Sequence, residues 1–276
     1  MRNWSRVTMP FSCRWGAGAS GRGVLFWTGG DDERGNPGAS LWIYRPGEGR
    51  WSQGSHLPLA VSRHSCTLLG EELFCVGGRS LGGPTDAVQV YHILTNKWRL
   101  ADPLPRPVWQ HCATAWEDEL LCLGGVREGK ALDEVWGLHQ SGSHWRPYPP
   151  LRIPRRGHSC QTLGDTVYCV GGSFTQGPGA AEPIERRDPI TGVWERWGIL
   201  PSPGWSGSTA PWGKGLLYAS FGQKQLRQLH LQGARCVPGP MLPQAIPGAQ
   251  LFALDGRLLV TDGICLWQYR GTKNIL

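Results

Sequence analysis

The sequence predicts an all-β fold closed into a six-bladed propeller, and three observations point there. Gly-Gly recurs at Gly29-Gly30, Gly77-Gly78, Gly124-Gly125 and Gly171-Gly172, with spacings of 48, 47 and 47 residues. Self-similarity at such a period marks a repeat architecture. A tryptophan (Trp51, Trp98, Trp145 or Trp194) stands 21 to 23 residues after the first glycine of each pair. Two degenerate copies follow, around Phe221-Gly222 and Asp262-Gly263, and bring the count to six within 276 residues. Four short strands per copy argue for antiparallel blades in a closed ring, because radial closure leaves few exposed edges.

The elements follow in order along a single domain, residues 1–276. Asn3-Trp4-Ser5-Arg6 looks like the fourth strand of a copy, as in Lys97-Trp98-Arg99-Leu100. Residues 2–8 are therefore expected to pair with the last blade. Blades are expected at approximately 11–55, 58–102, 105–149, 152–198, 203–238 and 245–270. Leu-Pro turns mark most junctions: Leu57-Pro58, Leu104-Pro105, Leu200-Pro201 and Leu242-Pro243. The first strand begins near His64, His111 and His158, each thirteen residues before its Gly-Gly. A tight turn such as Gly164-Asp165 leads to an apolar second strand ending at the glycines, for example Leu73-Phe74-Cys75-Val76. The third strand carries an aromatic (Trp42, Tyr91, Trp136), and the fourth carries the repeat tryptophan. Short strands, frequent turn signals and no helical period agree. The glycine pair lets the backbone bend and approach its neighbours. The tryptophans read as wedges that fill the widening space between blades.

Composition narrows the class. Gly 40 and Pro 22 make up roughly 22% of the chain, below the range of unperiodic disorder. With 40% hydrophobic residues and 15 Trp it can fold. No apolar run approaches the ~18 residues that span a bilayer, and no apolar segment follows the N-terminus as in a secretory signal. Nine cysteines without an export signal read as reduced thiols and place the protein in the cytoplasm or nucleus. The net charge is +7, almost all of it arginine, which pairs with carboxylates or phosphates through its fork. The arginines are spread through all blades, whereas a nucleic-acid footprint clusters on one face. No nucleic acid and no membrane partner is expected.

The four in-register Gly-Gly pairs with their third- and fourth-strand aromatics resemble the kelch-repeat family over essentially the whole chain, and are most similar to the kelch domains of BTB-kelch (kelch-like) proteins. The resemblance implies a protein-interaction module that binds short peptide motifs or partner proteins. In those adaptors the propeller is the substrate-recognition part of a cullin-type ubiquitin ligase. The alternatives it leaves are an actin-associated scaffold and a kelch-type sugar epimerase. No BTB or BACK domain is expected within the chain, so a cullin would be reached only through a partner or a separate BTB domain.

In the family, the segment leading into each first strand and the loop after Gly-Gly share one face. On that pattern the candidate partner-binding residues are Arg14, Trp15, Arg63, Trp109, Gln110, Arg155, Arg156 and Trp205 before the first strands, and Arg79 and Arg127 after the glycines. Family readers of acidic peptides carry an arginine three residues before the histidine position, and Arg155 alone occupies it here. Arginine and tryptophan together suit an acidic or carboxylate-rich segment.

Catalysis is not expected, because no nucleophile-elbow, zincin or phosphate-loop pattern occurs. Asp31-Asp32-Glu33 reads as a solvated loop. His64, His111 and His158 share one repeat position, and each is expected to pack against its own blade with one hydrogen bond to a neighbour. Cys66 and Cys75 should face each other across two strands, as should Cys160 and Cys169, while Cys112 and Cys122 are offset by one. A redox pair or zinc site is the alternative to packing. Paired metal-binding cysteines usually stand two to four residues apart, and these have eight or nine residues between them. Core packing is the expectation, with no metal and no cofactor.

Overall fold

A computed structural model describes residues 3–173, 182–200, 207–220, 222–231 and 233–270. Every regular element among them is a strand, and the main sheets are six four-stranded blades. Blade 1 comprises Ala17–Gly21, Val24–Thr28, Leu41–Arg45 and Arg50–Gln53, from the channel outward. Blade 2 comprises Ser65–Leu69, Glu72–Val76, Val88–His92 and Lys97–Leu100, and blade 3 Cys112–Trp116, Glu119–Leu123, Val135–His139 and Trp145–Tyr148. Blade 4 comprises Ser159–Leu163, Thr166–Val170, Glu182–Arg187 and Trp194–Leu200, and blade 5 Gly207–Trp212, Gly215–Ser220, Gln225–His230 and Arg235–Met241. The outer strands of blades 4 and 5 end at Leu200 and Met241.

Blade 6 supplies only Gln250–Leu254, Arg257–Thr261 and Leu266–Tyr269 from its own stretch of chain. Its fourth strand is the N-terminal Trp4–Val7, in register from Trp4 opposite Tyr269 to Val7 opposite Leu266. Trp4 plays the part of a repeat tryptophan. The Trp98 and Trp145 indoles donate to the carbonyls of Ser55 and Asp102 in the preceding junctions, each at 2.9 Å. The Trp4 indole donates to Met241 of blade 5, also at 2.9 Å. Trp4→Ala is therefore expected to lower the unfolding free energy by about 2 kcal/mol, less than the ~3–5 of a fully buried tryptophan. An unchanged urea midpoint would show that the Trp4 indole contributes nothing to closure.

The second strands are buried on both faces, so their near-continuous apolar runs fit a central position. Where they end, the blade crosses the segment leading into its own first strand. Gly78 has φ +96°, and a Cβ there would stand 2.6 Å from the Ser62 carbonyl oxygen. Only glycine allows that crossing, which gives the repeat signature its physical cause.

The apolar core is divided among six clusters, each between adjacent blades. One joins Phe26, Leu41 and Leu57 of blade 1 and its junction to Leu73 and Tyr91 of blade 2. Another joins Leu259 and Leu266 of blade 6 to Leu25, Trp27 and Tyr44 of blade 1, and so closes the ring. The junction leucines Leu57, Leu104, Leu200 and Leu242 are all buried. The third-strand aromatics do not share one position, as the sequence pattern suggested. Trp42 and Trp136 stand level with Gln89, because each faces the corresponding second-strand residue. The match to Tyr91 is Tyr44, each opposite a repeat tryptophan.

Candidate functional site

The six inner strands enclose an axial channel of about 520 Å³, lined mainly by small and hydroxyl side chains. At one mouth the lead-in segments converge. Trp15, Arg63 and Gln110 occupy equivalent places in blades 1 to 3 and have φ of 59°, 53° and 54°. Gly157 and Gly248 hold the equivalent places in blades 4 and 6, at 61° and 74°. Backbone bonds link these residues from blade to blade. Arg63 N–H donates to the Trp15 carbonyl at 2.7 Å, Gln110 to Arg63 at 3.2 Å and Gly157 to Gln110 at 2.8 Å. A side chain in this left-handed region costs about 1–3 kcal/mol, and such outliers cluster at ligand sites. Glycine fits the ring without that cost, yet three of the five described positions display large side chains at the channel mouth.

The Arg63 guanidinium stands 5.1 Å from the Trp15 ring centre and 5.9 Å from that of Trp109. Asp31 anchors it at 3.3 Å. Asp31 is 6% exposed, which corrects its reading as a solvated loop residue. Its backbone pairs with Arg14 in both directions, so the loop after Gly-Gly folds back onto the lead-in segment. Asp32 does stay exposed, and the backbone N–H groups of Asn36 and Arg34 hold its carboxyl below the usual range. Sequence reasoning missed Asp31 because its signal, an acid directly after the glycine pair, is equally that of a surface turn.

The other candidates separate into three groups. Arg14 and Arg79 are exposed and Arg156 half-buried, next to or bridged to ring-adjacent positions. None of the three makes an ion pair among the described residues. Arg127 is committed to its own blade, with bonds of 2.6 and 3.2 Å to Glu134; Arg127 holds that carboxyl below its ordinary value. Arg155 is 0% exposed, and its guanidinium bonds Glu185 at 2.6 Å and the Gly171 carbonyl at 2.9 Å. Arg155 stands where blades 2 and 3 have the buried Val61 and Val108, so its side chain faces the interior and not the mouth. Trp205 lies outside the described residues.

The repeat histidines are buried. His64 Nε2 meets Thr28 Oγ1 of blade 1 at 2.8 Å, and His111 Nε2 meets Ser65 Oγ of blade 2 at 2.8 Å. For His64 and His111 these are the expected bonds to neighbouring blades; both ring nitrogens of His158 are buried without a hydrogen-bond partner among the described residues, a departure from that expectation. Cys66 is opposite Cys75 and Cys160 is opposite Cys169, while Cys122 faces Ala113, one place away from Cys112. The expectation that all thiols are reduced is corrected at one pair. A disulfide joins Cys112 and Cys160 of neighbouring inner strands, with Cα atoms 6.0 Å apart. Burial pushes the Cys169 thiol up to about 12. Burial raises Cys75 as well, but its contacts with Cys66 and His64 outweigh this and hold it at about 6.

Three comparisons with known proteins bear on identity. A solved structure titled "Structure of YjhT" superposes with a TM-score of 0.77 over 94% of both chains, at 14% sequence identity, and so shares the fold. No curated protein matches the sequence. The sequence model of the KLHDC2/KLHL20/DRC7 Kelch-repeats domain matches residues 2–172. With that match, the in-register Gly-Gly crossings and a ring closed by its N-terminal strand, the chain belongs to the kelch-repeat family.

Proposed function

We propose that this propeller reads acidic or carboxylate-bearing peptide segments at the Trp15–Arg63–Trp109 mouth. It would do so as the substrate-recognition part of a cullin-type ubiquitin-ligase adaptor, joined to the ligase through a partner or a separate BTB domain. Kelch propellers are generally protein-interaction modules, and a rigid scaffold with loops gathered at one mouth suits that use. The observation that carries the reading is the ring with large side chains in the left-handed region at Trp15, Arg63 and Gln110, beside Arg14, Arg79 and Arg156, which make no ion pair among the described residues. Asp31 holds Arg63 in place between two indoles, which removes part of the ordering cost of binding. Arg14, Arg79 and Arg156 supply the uncompensated charge.

Arg63→Gly tests this with a backbone the ring already accepts, since Gly157 takes the same conformation two ring positions over. Pull-down from cell lysate should yield a small partner set, and acidic peptides derived from it should bind more weakly as salt rises. Arg63→Gly and the pair Arg14→Ala/Arg156→Ala should each weaken that binding at least about tenfold, roughly 1.4 kcal/mol, with thermal melting used to confirm that each variant is folded at the binding temperature. Ligase subunits among the wild-type partners would support the adaptor role. Salt-independent capture of a neutral apolar peptide would sink the acidic-ligand reading.

A further inference from the structure

We propose a zinc site between blades 1 and 2, formed by the Cys66 and Cys75 thiolates and the His64 imidazole. Three placements create it. His64 and Cys66 are two residues apart on an extended segment, so they share one face. Strand register sets Cys75 directly opposite Cys66. The three donor atoms lie within 4.8 Å of one another, with the two sulfurs 2.9 Å apart. Thr28 of blade 1 covers the group, its Oγ1 2.8 Å from His64 Nε2 and 2.9 Å from Cys66 Sγ. The expectation against metal rested on sequence spacing, and here it is register that brings the donors together.

The donor set selects the ion. Two thiolates and a neutral imidazole balance a divalent cation, and a neutral group is the one a buried site tolerates. Sulfur and imidazole suit zinc, and three protein ligands leave a fourth position beside the Thr28 hydroxyl. His64 and Cys66 line the axial channel, which provides the entry path. Blade 4 repeats the sequence pattern at His158, Cys160 and Cys169, but Cys160 is bonded to Cys112 there. Among the described residues only blade 2 presents such a cluster.

Cobalt(II) reports thiolate ligation directly. The full chain, reduced and stripped with a chelator, should develop a thiolate-to-cobalt charge-transfer band that zinc abolishes, and in Cys160→Ser, where reduction frees no second cluster, the band should saturate at about one cobalt per chain. Cys75→Ser should weaken zinc binding more than about 100-fold, beyond the 10- to 100-fold that loss of a mere supporting group produces. Cys66 is half-buried, so Cys66→Ser serves as a second ligand variant if the Cys75 variant does not fold; metal-free melting checks both. Cys160→Ser should bind zinc as wild type does. Absence of the band in reduced wild type, a band retained in Cys66→Ser, or a band lost in Cys160→Ser instead would each overturn the site. So would a Cys66–Cys75 disulfide that forms in air and a reduced form that still ignores cobalt.

Discussion

Arg155→Met lowers the unfolding free energy by about 3–5 kcal/mol, the cost typical of breaking a buried ion pair from one side. The pair is inaccessible to solvent, with side-chain exposures of 0% for Arg155 and 1% for Glu185. Glu185 also accepts from the Arg152 backbone N–H at 2.8 Å, so the carboxylate keeps one partner and loses its counter-charge. Blade 2 solves the same problem without charge. Gln89 stands at the place of Glu185 and bonds the Leu59 backbone N–H at 2.7 Å, while Val61 stands at the place of Arg155. Arg155→Met/Glu185→Gln reproduces that arrangement and should recover most of the loss. Urea denaturation of the four members of the cycle measures the coupling. A single-variant cost below about 1 kcal/mol would show that Glu185 finds water or neutralises instead. The result also matters for mapping the mouth. A variant at Arg155 would lose partners by unfolding, so binding must be tested at Arg14, Arg63 and Arg156.

Stability should fall steeply as the pH drops from 6.5 to 5. Burial, helped by the nearby His64, pushes His111 from its ordinary 6.5 down to about 3. Burial and then Arg155 push His158 well below its ordinary value. Both stay neutral in the fold, while the unfolded chain takes up protons near pH 6.5. Between about 3 and 6.5 the unfolded state binds more protons. The stabilisation is therefore complete above 6.5 and is lost as pH falls. Each histidine contributes a slope approaching ~1.4 kcal/mol per pH unit, so the two together approach ~2.7. The carboxylates held below their usual range, Asp32, Glu134 and Asp188, titrate below this window. Denaturation midpoints at several pH values from 7.5 to 5 measure the effect. His111→Gln keeps a group able to reach Ser65 and should halve the slope. A flat wild-type profile over that interval would mean that the histidines are hydrated or charged in the fold.

Much of the architecture was legible because it is periodic and local. The glycine crossings, the apolar second strands and the tryptophans of the fourth strands repeat at a constant interval. The strand Trp4–Val7 could be assigned to blade 6 because it has the character of a missing fourth strand. The candidate residues were harder to place. Arg155 and Arg156 are adjacent in sequence, yet one is wholly interior and the other reaches the surface. Alternation of side chains across an extended backbone decides this, and which side is inside depends on the next blade. Trp42 and Tyr91 looked equivalent by residue type, but a two-residue displacement keeps the face and moves the side chain along the blade.

The sequence by itself determined the number of blades, the order of strands within each and the way the ring closes. Those features follow from a repeating pattern of backbone freedom and apolar burial. Only the tertiary structure decided which arginines meet solvent, that Asp31 is the anchor of Arg63, and that His64, Cys66, Cys75 and Thr28 converge. Those relations join residues from different strands and blades. Their distances are set by register and by packing across blade interfaces, for which linear spacing carries no code.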